Sequence, residues 1–165
     1  MNASALVSKL NERLPGVVIE RTRFGRSTQD AIWVDIERIS AVAAVLANHT
    51  EAGFDWLENL SVVQIDEAIL ITYFLHSRES GAALVLRGSI GVPAPEEYAK
   101  VRSVRSVWPM AAPLEDEAAA LFGIEFFSES SAPSVGTRWS FIAAGASEPK
   151  VFPMRKRVKT EEKSP

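Results

Sequence analysis

The stretch LSVVQIDEAILITYFLHSRESGAALVLRGS, residues 60–89, decides the fold class. It contains three runs in which apolar residues dominate or alternate with polar ones, at positions 60–64, 68–77 and 82–89. Asp66 and Glu67 separate the first two runs, and the polar stretch 77–81 separates the last two. Short apolar runs divided by tight turns are typical of an antiparallel meander. Alternation places four side chains of the middle strand on one face of the sheet: Ile69, Ile71, Tyr73 and Leu75.

Upstream of this meander, helix and strand patterns follow one another. Apolar residues recur at helical spacing from Ala3 to Leu14, and Pro15 and Gly16 end that pattern. Two strands are then predicted at 17–24 and 30–36, joined by a turn at 25–27, and the spacing over 37–48 predicts an amphipathic helix. The apolar face of such a helix requires a sheet to cover it. We therefore predict a two-layer α+β fold, with helices packed on a mixed or antiparallel β-sheet.

The second half of the chain is less regular. Residues 94–101 predict a short helix, and residues 113–122 predict a longer one. Pro113 stands at the start of the longer helix, three acidic residues lie in its first turn, and Gly123 ends it. Residues 128–136 are polar and loop-like, and 138–143 predict a strand. We predict one domain over 1–150, followed by a loop-like C-terminal arm, a basic and flexible tail over 151–165.

Composition excludes several kinds of site. The chain has 165 residues, no cysteine, two histidines and a net charge of −3. It therefore has no ligands for a cysteine-bound iron–sulfur cluster or a thiolate zinc site, and no cysteine nucleophile. The last eleven residues carry a net charge of +3 and leave −6 on the rest, which does not favour nucleic-acid binding. No apolar run is long enough to span a bilayer, and a soluble cytoplasmic protein is expected.

The acidic run Glu115, Asp116 and Glu117 is the first candidate for chemistry. Paired carboxylates can act as acid and base or bind a divalent metal. Acidic side chains in the first turn of a helix also stabilise its dipole without any catalysis. The sequence lacks a nucleophile elbow and a glycine-rich phosphate loop, and residue chemistry alone favours a structural role for this segment.

Three groups of residues together carry a resemblance. One is Trp108 and Pro109 followed by the segment LEDEAAALFGIEF at 114–126, the second is FDWL at 54–57, and the third is PMRK at 153–156. Their order and spacing over 54–156 resemble the C-type, or 30-kDa-type, subunit of proton-translocating NADH:quinone oxidoreductase, which is respiratory complex I. That family is shared with membrane-bound energy-converting hydrogenases. The chain departs from the family pattern at several polar positions, among them Asp116, Ala119, Ala120 and Phe152.

The resemblance implies a cofactor-free structural or assembly subunit of the peripheral arm, with no catalytic, cofactor-binding or metal-binding residues. Such a protein supports electron transfer from NADH to quinone and contacts the quinone-site protein, which is the D-type subunit, as well as adjacent iron–sulfur subunits. It reaches the inner face of the cell membrane only through its complex. The residues that match the family's interface motifs are Trp108, Glu115, Glu117, Phe122, Gly123, Arg155 and Lys156.

Two alternatives stay open. One is an accessory subunit of a membrane-bound energy-converting hydrogenase, and the other is a small enzyme that uses carboxylates of the acidic run. If Glu115 and Glu117 are interface groups, both face solvent in the isolated chain, and replacing either with alanine leaves the fold stable. Catalytic carboxylates would instead line a concave, desolvated site.

Overall fold

The computed structural model describes residues 3–23, 30–49, 53–128 and 152–156. Its helices are α1 (Ala3–Arg13), α2 (Ile39–Ala47), which follows a 3-10 turn at Ile36–Arg38, and α3 (Ala111–Phe122). Its strands are β1 (Val18–Arg23), β2 (Asp30–Val34), β3 (Trp56–Ile65), β4 (Ala68–His76), β5 (Ala83–Gly91), β6 (Ala99–Arg102) and β7 (Ile124–Phe127). The turn predicted at 25–27 and the strand predicted at 138–143 lie outside the described residues.

Five strands form a mixed sheet in the order β1-β2-β5-β4-β3. The pairs β3–β4 and β4–β5 are antiparallel, which confirms the predicted meander. Strand β2 runs parallel to β5 on the other side, and β1 pairs antiparallel with β2 at the edge. With three helices beside this mixed sheet, the predicted α+β class is confirmed.

The core lies on one face of the sheet, as the alternation in β4 predicts. Ile69, Ile71, Tyr73 and Leu75 are each at most 1% exposed. They belong to one hydrophobic cluster with residues from all three helices: Leu6, Leu10, Val42, Leu46, Ala111 and Phe122. Fully burying a large aliphatic side chain contributes roughly 1.5–3 kcal/mol. Burial of this cluster is therefore the main contribution that stabilises the packing of the helices on the sheet.

The helix predicted at 94–101 is wrong. Residues 95–97 form a turn, in which the backbone N–H of Glu97 donates to the carbonyl of Ala94 at 2.9 Å. Ala99–Arg102 is strand β6, which pairs in parallel with β7. In the sequence, helix α3 separates β6 from its partner β7. The local spacing of residues 94–101 therefore gives no sign of this pairing.

Helix α3 begins at Ala111, two residues before the predicted start. The acidic residues 115–117 therefore lie beyond its first turn, and their predicted role in stabilising the helix start is wrong. The predicted end is confirmed, since Gly123 caps the helix in the left-handed conformation with φ 68° and ψ 48°. No helix in the described ranges is long and apolar enough to cross a membrane.

Candidate partner interface

Glu115 lies at the centre of a buried hydrogen-bond network. Its carboxylate is fully buried and accepts from the Ser103 hydroxyl at 2.7 Å and from the backbone N–H of Val104 at 2.8 Å. The Arg105 Nε donates to the same carboxylate at 2.9 Å. A charge removed from water requires such partners to offset its lost hydration. Glu115 therefore ties α3 to the loop that follows β6.

Arg105 joins Glu115 to a second carboxylate. Its Nη2 donates to the Asp116 Oδ1 at 3.1 Å. Burial by itself lowers the pKa of Arg105, but hydrogen bonds and charge from Glu115 and Asp116 outweigh burial and raise it. Asp116 stands where the resembled pattern has arginine, and here it completes an ion pair within the chain. Beneath the network, burial and the charge of Glu115 raise the pKa of the Tyr73 hydroxyl.

The structure separates the two glutamates that the sequence grouped together. Glu117 is exposed, as predicted, whereas Glu115 is buried and fully engaged by its own chain. The prediction that Glu115 faces solvent is wrong, because a half-exposed arginine and two loop groups draw its carboxylate inward. The stability of Glu115→Ala, predicted above to be unchanged, is now expected to fall, because the change leaves buried donors without an acceptor.

Trp108 and Phe122, two further matches to the family motif, lie in the core. Trp108 is 1% exposed, and its Nε1–H donates to the Phe54 carbonyl at 2.7 Å. Phe122 is 7% exposed and belongs to the same hydrophobic cluster. The Trp108 hydrogen bond joins the start of the FDWL segment to the turn before α3, so two parts of the resemblance meet in space.

Gly123 marks the place where the C-terminal segment 152–156 meets helix α3. A Cβ at position 123 would lie 2.7 Å from Cδ2 and Cε2 of the Phe152 ring. The Phe152 ring also contacts Tyr98 edge-on, with ring centroids 5.0 Å apart. The backbone N–H of Met154 donates to the Leu121 carbonyl at 3.0 Å. Glycine is therefore required at 123 both for its left-handed backbone and for the close approach of Phe152.

Arg155 and Lys156 fix the same segment to the body by different means. The Arg155 guanidinium donates to three backbone carbonyls of one loop, those of Pro93, Ala94 and Glu97. Burial lowers the pKa of Arg155, and the charge of Glu97 opposes that shift. Lys156 uses its backbone, whose N–H and carbonyl both bond the Gln64 amide, and leaves its side chain exposed.

The segment 152–156, called the closing segment below, is thus the described part of the predicted tail, and it packs on the domain. The boundary at 150 stays a prediction. The sequence did not identify the groups that bind these motif residues. Gln64 and the loop carbonyls at 93–97 bind the closing segment, and Ser103 and Arg105 bind Glu115. Gln64 lies 92 residues from Lys156, whose backbone it binds. Arg105 contacts Glu115 and Asp116, which are 10 and 11 residues away in a different element, so no single helix or strand period connects them.

The described residues do not favour a carboxylate enzyme. Both oxygens of Glu115 are occupied by internal donors, while Asp116 and Glu117 are exposed on the outer side of α3. Within the described ranges, no group of three or more histidine or acidic side chains could hold a metal ion. The three carboxylates of the acidic run are therefore divided between the interior and the surface.

Comparison with known proteins places this geometry in a wider group. The family model described as "Respiratory-chain NADH dehydrogenase, 30 Kd subunit" matches residues 32–164. Two similar curated proteins are the C/D subunits of NADH-quinone oxidoreductase from Rhodopseudomonas palustris, strains HaA2 and BisB5. They are 32% and 28% identical to this chain over 137 and 136 residues, which is 76% of this chain. The chain spans only 22% of the length of either relative.

Two solved structures share the fold. A chain of the membrane-bound sulfane sulfur reductase, an archaeal respiratory membrane complex, matches with a TM-score of 0.67 and 18% identity, over 93% of this chain and 83% of that one. A trypsin-resistant fragment, residues 1–134, of Nqo5 matches with a TM-score of 0.55 and 17% identity, over 80% of this chain and all of the fragment. At these identities the likeness establishes a common fold.

Proposed function

Because the chain belongs to the family of 30-kDa subunits of respiratory-chain NADH dehydrogenase, we propose that it is a structural subunit of the peripheral arm of an NADH:quinone oxidoreductase. The observation that carries this proposal is the family match over residues 32–164, which includes the whole meander, α3 and the closing segment. The sequence has no cysteine, which fits a protein that supports electron transfer from NADH to quinone without holding an iron–sulfur cluster itself.

We propose the quinone-site protein, which is the D-type subunit, and adjacent iron–sulfur subunits as its partners. The curated relatives combine the letters C and D in one name, which supports closeness of these two parts. In this arrangement the chain lies at the inner face of the cell membrane within a proton-translocating complex, and its contact with the bilayer is indirect.

The proposed docking surface is formed by the outer side of α3 and by the closing segment. Three side chains present it to solvent: Glu117, Met154 and Lys156. The other family-motif residues hold this surface in place from beneath: Trp108, Glu115, Phe122, Gly123 and Arg155. This combination suits a protein partner. Charges at the edge of an interface, here Glu117 and Lys156, orient the partner, while burial of an apolar side chain, here Met154, contributes affinity.

The experiment that tests the function is an affinity purification of the tagged full chain from gently solubilised membranes of its source. We expect a large complex with iron–sulfur absorbance and NADH-dependent quinone reduction. Recovery of the chain alone, with neither signal, would overturn the proposal.

A hydrogenase-type accessory subunit is the second candidate. It stays a candidate because the resembled family is shared with membrane-bound energy-converting hydrogenases, and the fold is also found in a chain of an archaeal respiratory membrane complex. The same purification separates the two, because a complex of that class would show hydrogen-dependent activity and no oxidation of NADH.

The surface itself is tested by Glu117→Ala in the tagged chain. We expect lower recovery of the complex per folded chain, since a charged contact at the interface is lost. Glu12→Ala is the matched control, because Glu12 is an exposed glutamate on α1, outside the family match. Equal recovery with both variants would remove Glu117 from the interface.

A further inference from the structure

An open groove of about 530 Å³ lies between the start of α2 and the two-stranded ribbon of β6 and β7. Its walls carry three cationic side chains, a hydroxyl, a small apolar residue and an aromatic ring: Arg38, Lys100, Arg102, Ser40, Ala41 and Phe127. Glu37 is its one acidic lining residue among those that the structure describes. None of these residues belongs to the docking surface proposed above.

The pairing of β6 with β7 explains why these groups share one ribbon. Lys100 pairs with Glu125, and Arg102 pairs with Phe127. Because side chains alternate between the two faces of a strand, these four residues share one face, opposite the buried Ala99 and Ile124. The Arg102 guanidinium lies 5.4 Å from the centroid of the Phe127 ring, which belongs to a residue that is 37% exposed. The ribbon therefore presents cations and an aromatic surface together.

Charge distinguishes this groove from the rest of the chain. The whole protein carries a net charge of −3, yet three cations line the groove against one lining acid, Glu37, and a second acid, Glu125, that lies beside Lys100. The Lys100 Nζ is 3.9 Å from the Glu125 Oε2, a long and exposed ion pair that costs little to exchange for another carboxylate. The Arg38 Nη1 donates to the Pro15 carbonyl at 2.9 Å, which fixes this guanidinium in the wall.

We propose that the groove binds an acidic peptide segment of a partner protein. Two carboxylates of the segment would pair with Lys100 and Arg102, whose Cα atoms are about 7 Å apart along one strand. An apolar side chain of the segment would cover the Phe127 ring. The volume exceeds that of a single small anion many times over, and cations on both walls match an extended chain with several carboxylates. This inference goes beyond the proposed function, because the groove lies outside the proposed docking surface. Binding of an acidic peptide can be tested on the free chain, without the membrane complex.

The test is an NMR titration of the isotopically labelled full chain with the peptide acetyl-Asp-Glu-Leu-Asp-Glu-Leu-amide. We expect shifts confined to backbone amides around the groove, at Ser40, Lys100, Arg102 and Phe127. The peptide acetyl-Asn-Gln-Leu-Asn-Gln-Leu-amide, which has the same length and no charge, is expected to leave these signals unchanged. Equal shifts with both peptides, or none with either, would overturn the proposal.

Variants locate the binding. The double change Lys100→Gln and Arg102→Gln is expected to weaken acidic-peptide binding by about fivefold, which is within the range that the loss of two charge pairs near the surface implies. Arg13→Gln removes an exposed cation from α1 and is expected to leave the affinity unchanged. A double variant that keeps its spectrum outside the groove and binds as tightly as the parent would contradict the proposal.

Two other occupants are outcomes of the same titration. If inorganic phosphate gives the same shifts at the same affinity, the groove is a site for small anions and the peptide proposal is wrong. If these signals shift when the protein is concentrated without peptide, a second copy of the chain occupies the groove. That result would overturn the proposal too, and neither result bears on recovery of the membrane complex.

Discussion

The inner and outer sides of helix α3 carry the same chemical group in opposite settings. Glu115 on the inner side is fully buried and bonded to three internal donors, whereas Glu117 on the outer side is exposed. Two residues turn the helix by about 200°, which is enough to move a carboxylate from core to solvent. The comparison teaches that, in one acidic run, one glutamate can stabilise the fold from within while the next but one is left exposed to solvent.

The largest effect is expected from removing Glu115. Glu115→Ala leaves the Val104 N–H, the Ser103 hydroxyl and the Arg105 guanidinium without their acceptor, which costs about 3 kcal/mol of unfolding free energy. Glu117→Ala is the matched control and is expected to change that free energy by less than about 0.5 kcal/mol. Urea unfolding of the free chain measures both, and equal losses would erase the distinction between the two sides of α3.

The next largest loss of stability is expected from a change at Gly123, where Phe152 lies in contact. Gly123→Ala forces a left-handed alanine and pushes its Cβ into the Phe152 ring, with an expected loss of about 2–3 kcal/mol. Gly16→Ala is the control, because Gly16 has a similar φ of 71° but no atom within 4 Å of the added Cβ. Its expected loss is about 1 kcal/mol. In a Phe152→Ala background, Gly123→Ala should cost less than it does in the parent chain, because the ring is no longer there to clash. An equal cost in both backgrounds would show that the ring does not press on position 123.

Arg155 offers a smaller effect that sharpens the account of the closing segment. Arg155→Lys cannot reach three carbonyls with one ammonium group, and we expect a loss of about 1 kcal/mol together with faster proteolysis of the C-terminal end. Lys156→Ala removes an exposed side chain whose backbone makes the contacts, so it should change neither measurement. If Lys156→Ala lowered the stability and sped up proteolysis as much as Arg155→Lys, the hydrogen bonds of the Arg155 side chain would not be what holds the closing segment.

The smallest effect belongs to an exposed ion pair, Asp55 with Arg78, at 2.7 Å. Hydrogen bonds from the Arg78 backbone and side chain lower the pKa of Asp55. A lowered pKa in the folded state stabilises the protein above the unfolded value, near 3.8, and this contribution is lost as pH falls through the folded value. Asp55→Asn should therefore flatten the stability profile slightly below pH 4. A larger change at neutral pH than at pH 3 supports this sign, and the reverse would contradict it.

The sequence predicted the meander well because its evidence is local. Alternation in β4 identified the buried face at Ile69, Ile71, Tyr73 and Leu75, and burial of that face requires no knowledge of distant residues. Gly123 was also predictable, since a helix end is decided by its own backbone. Strand β6 was missed because its partner β7 follows α3, and the turn residues at 95–97 imitate the start of a helix.

The candidate site was predicted only in part. The motif residues could be found by resemblance, but which of them are exposed depends on contacts that the sequence does not show. Arg105 decides the position of Glu115, and Phe152 decides the tolerance of Gly123. Each of these partners lies far from its contact along the chain or follows no regular spacing, so burial of Glu115 could be known only from the fold.

The most direct test of the division of α3 combines two readouts on Glu115→Gln and Glu117→Ala. Unfolding free energy is measured on the free chain, and recovery of the membrane complex is measured per folded chain. We expect Glu115→Gln to lose stability while its folded fraction still assembles, and Glu117→Ala to keep stability while its recovery falls. Loss of stability in Glu117→Ala with undiminished recovery would contradict the assignment of the outer side of α3 to the partner.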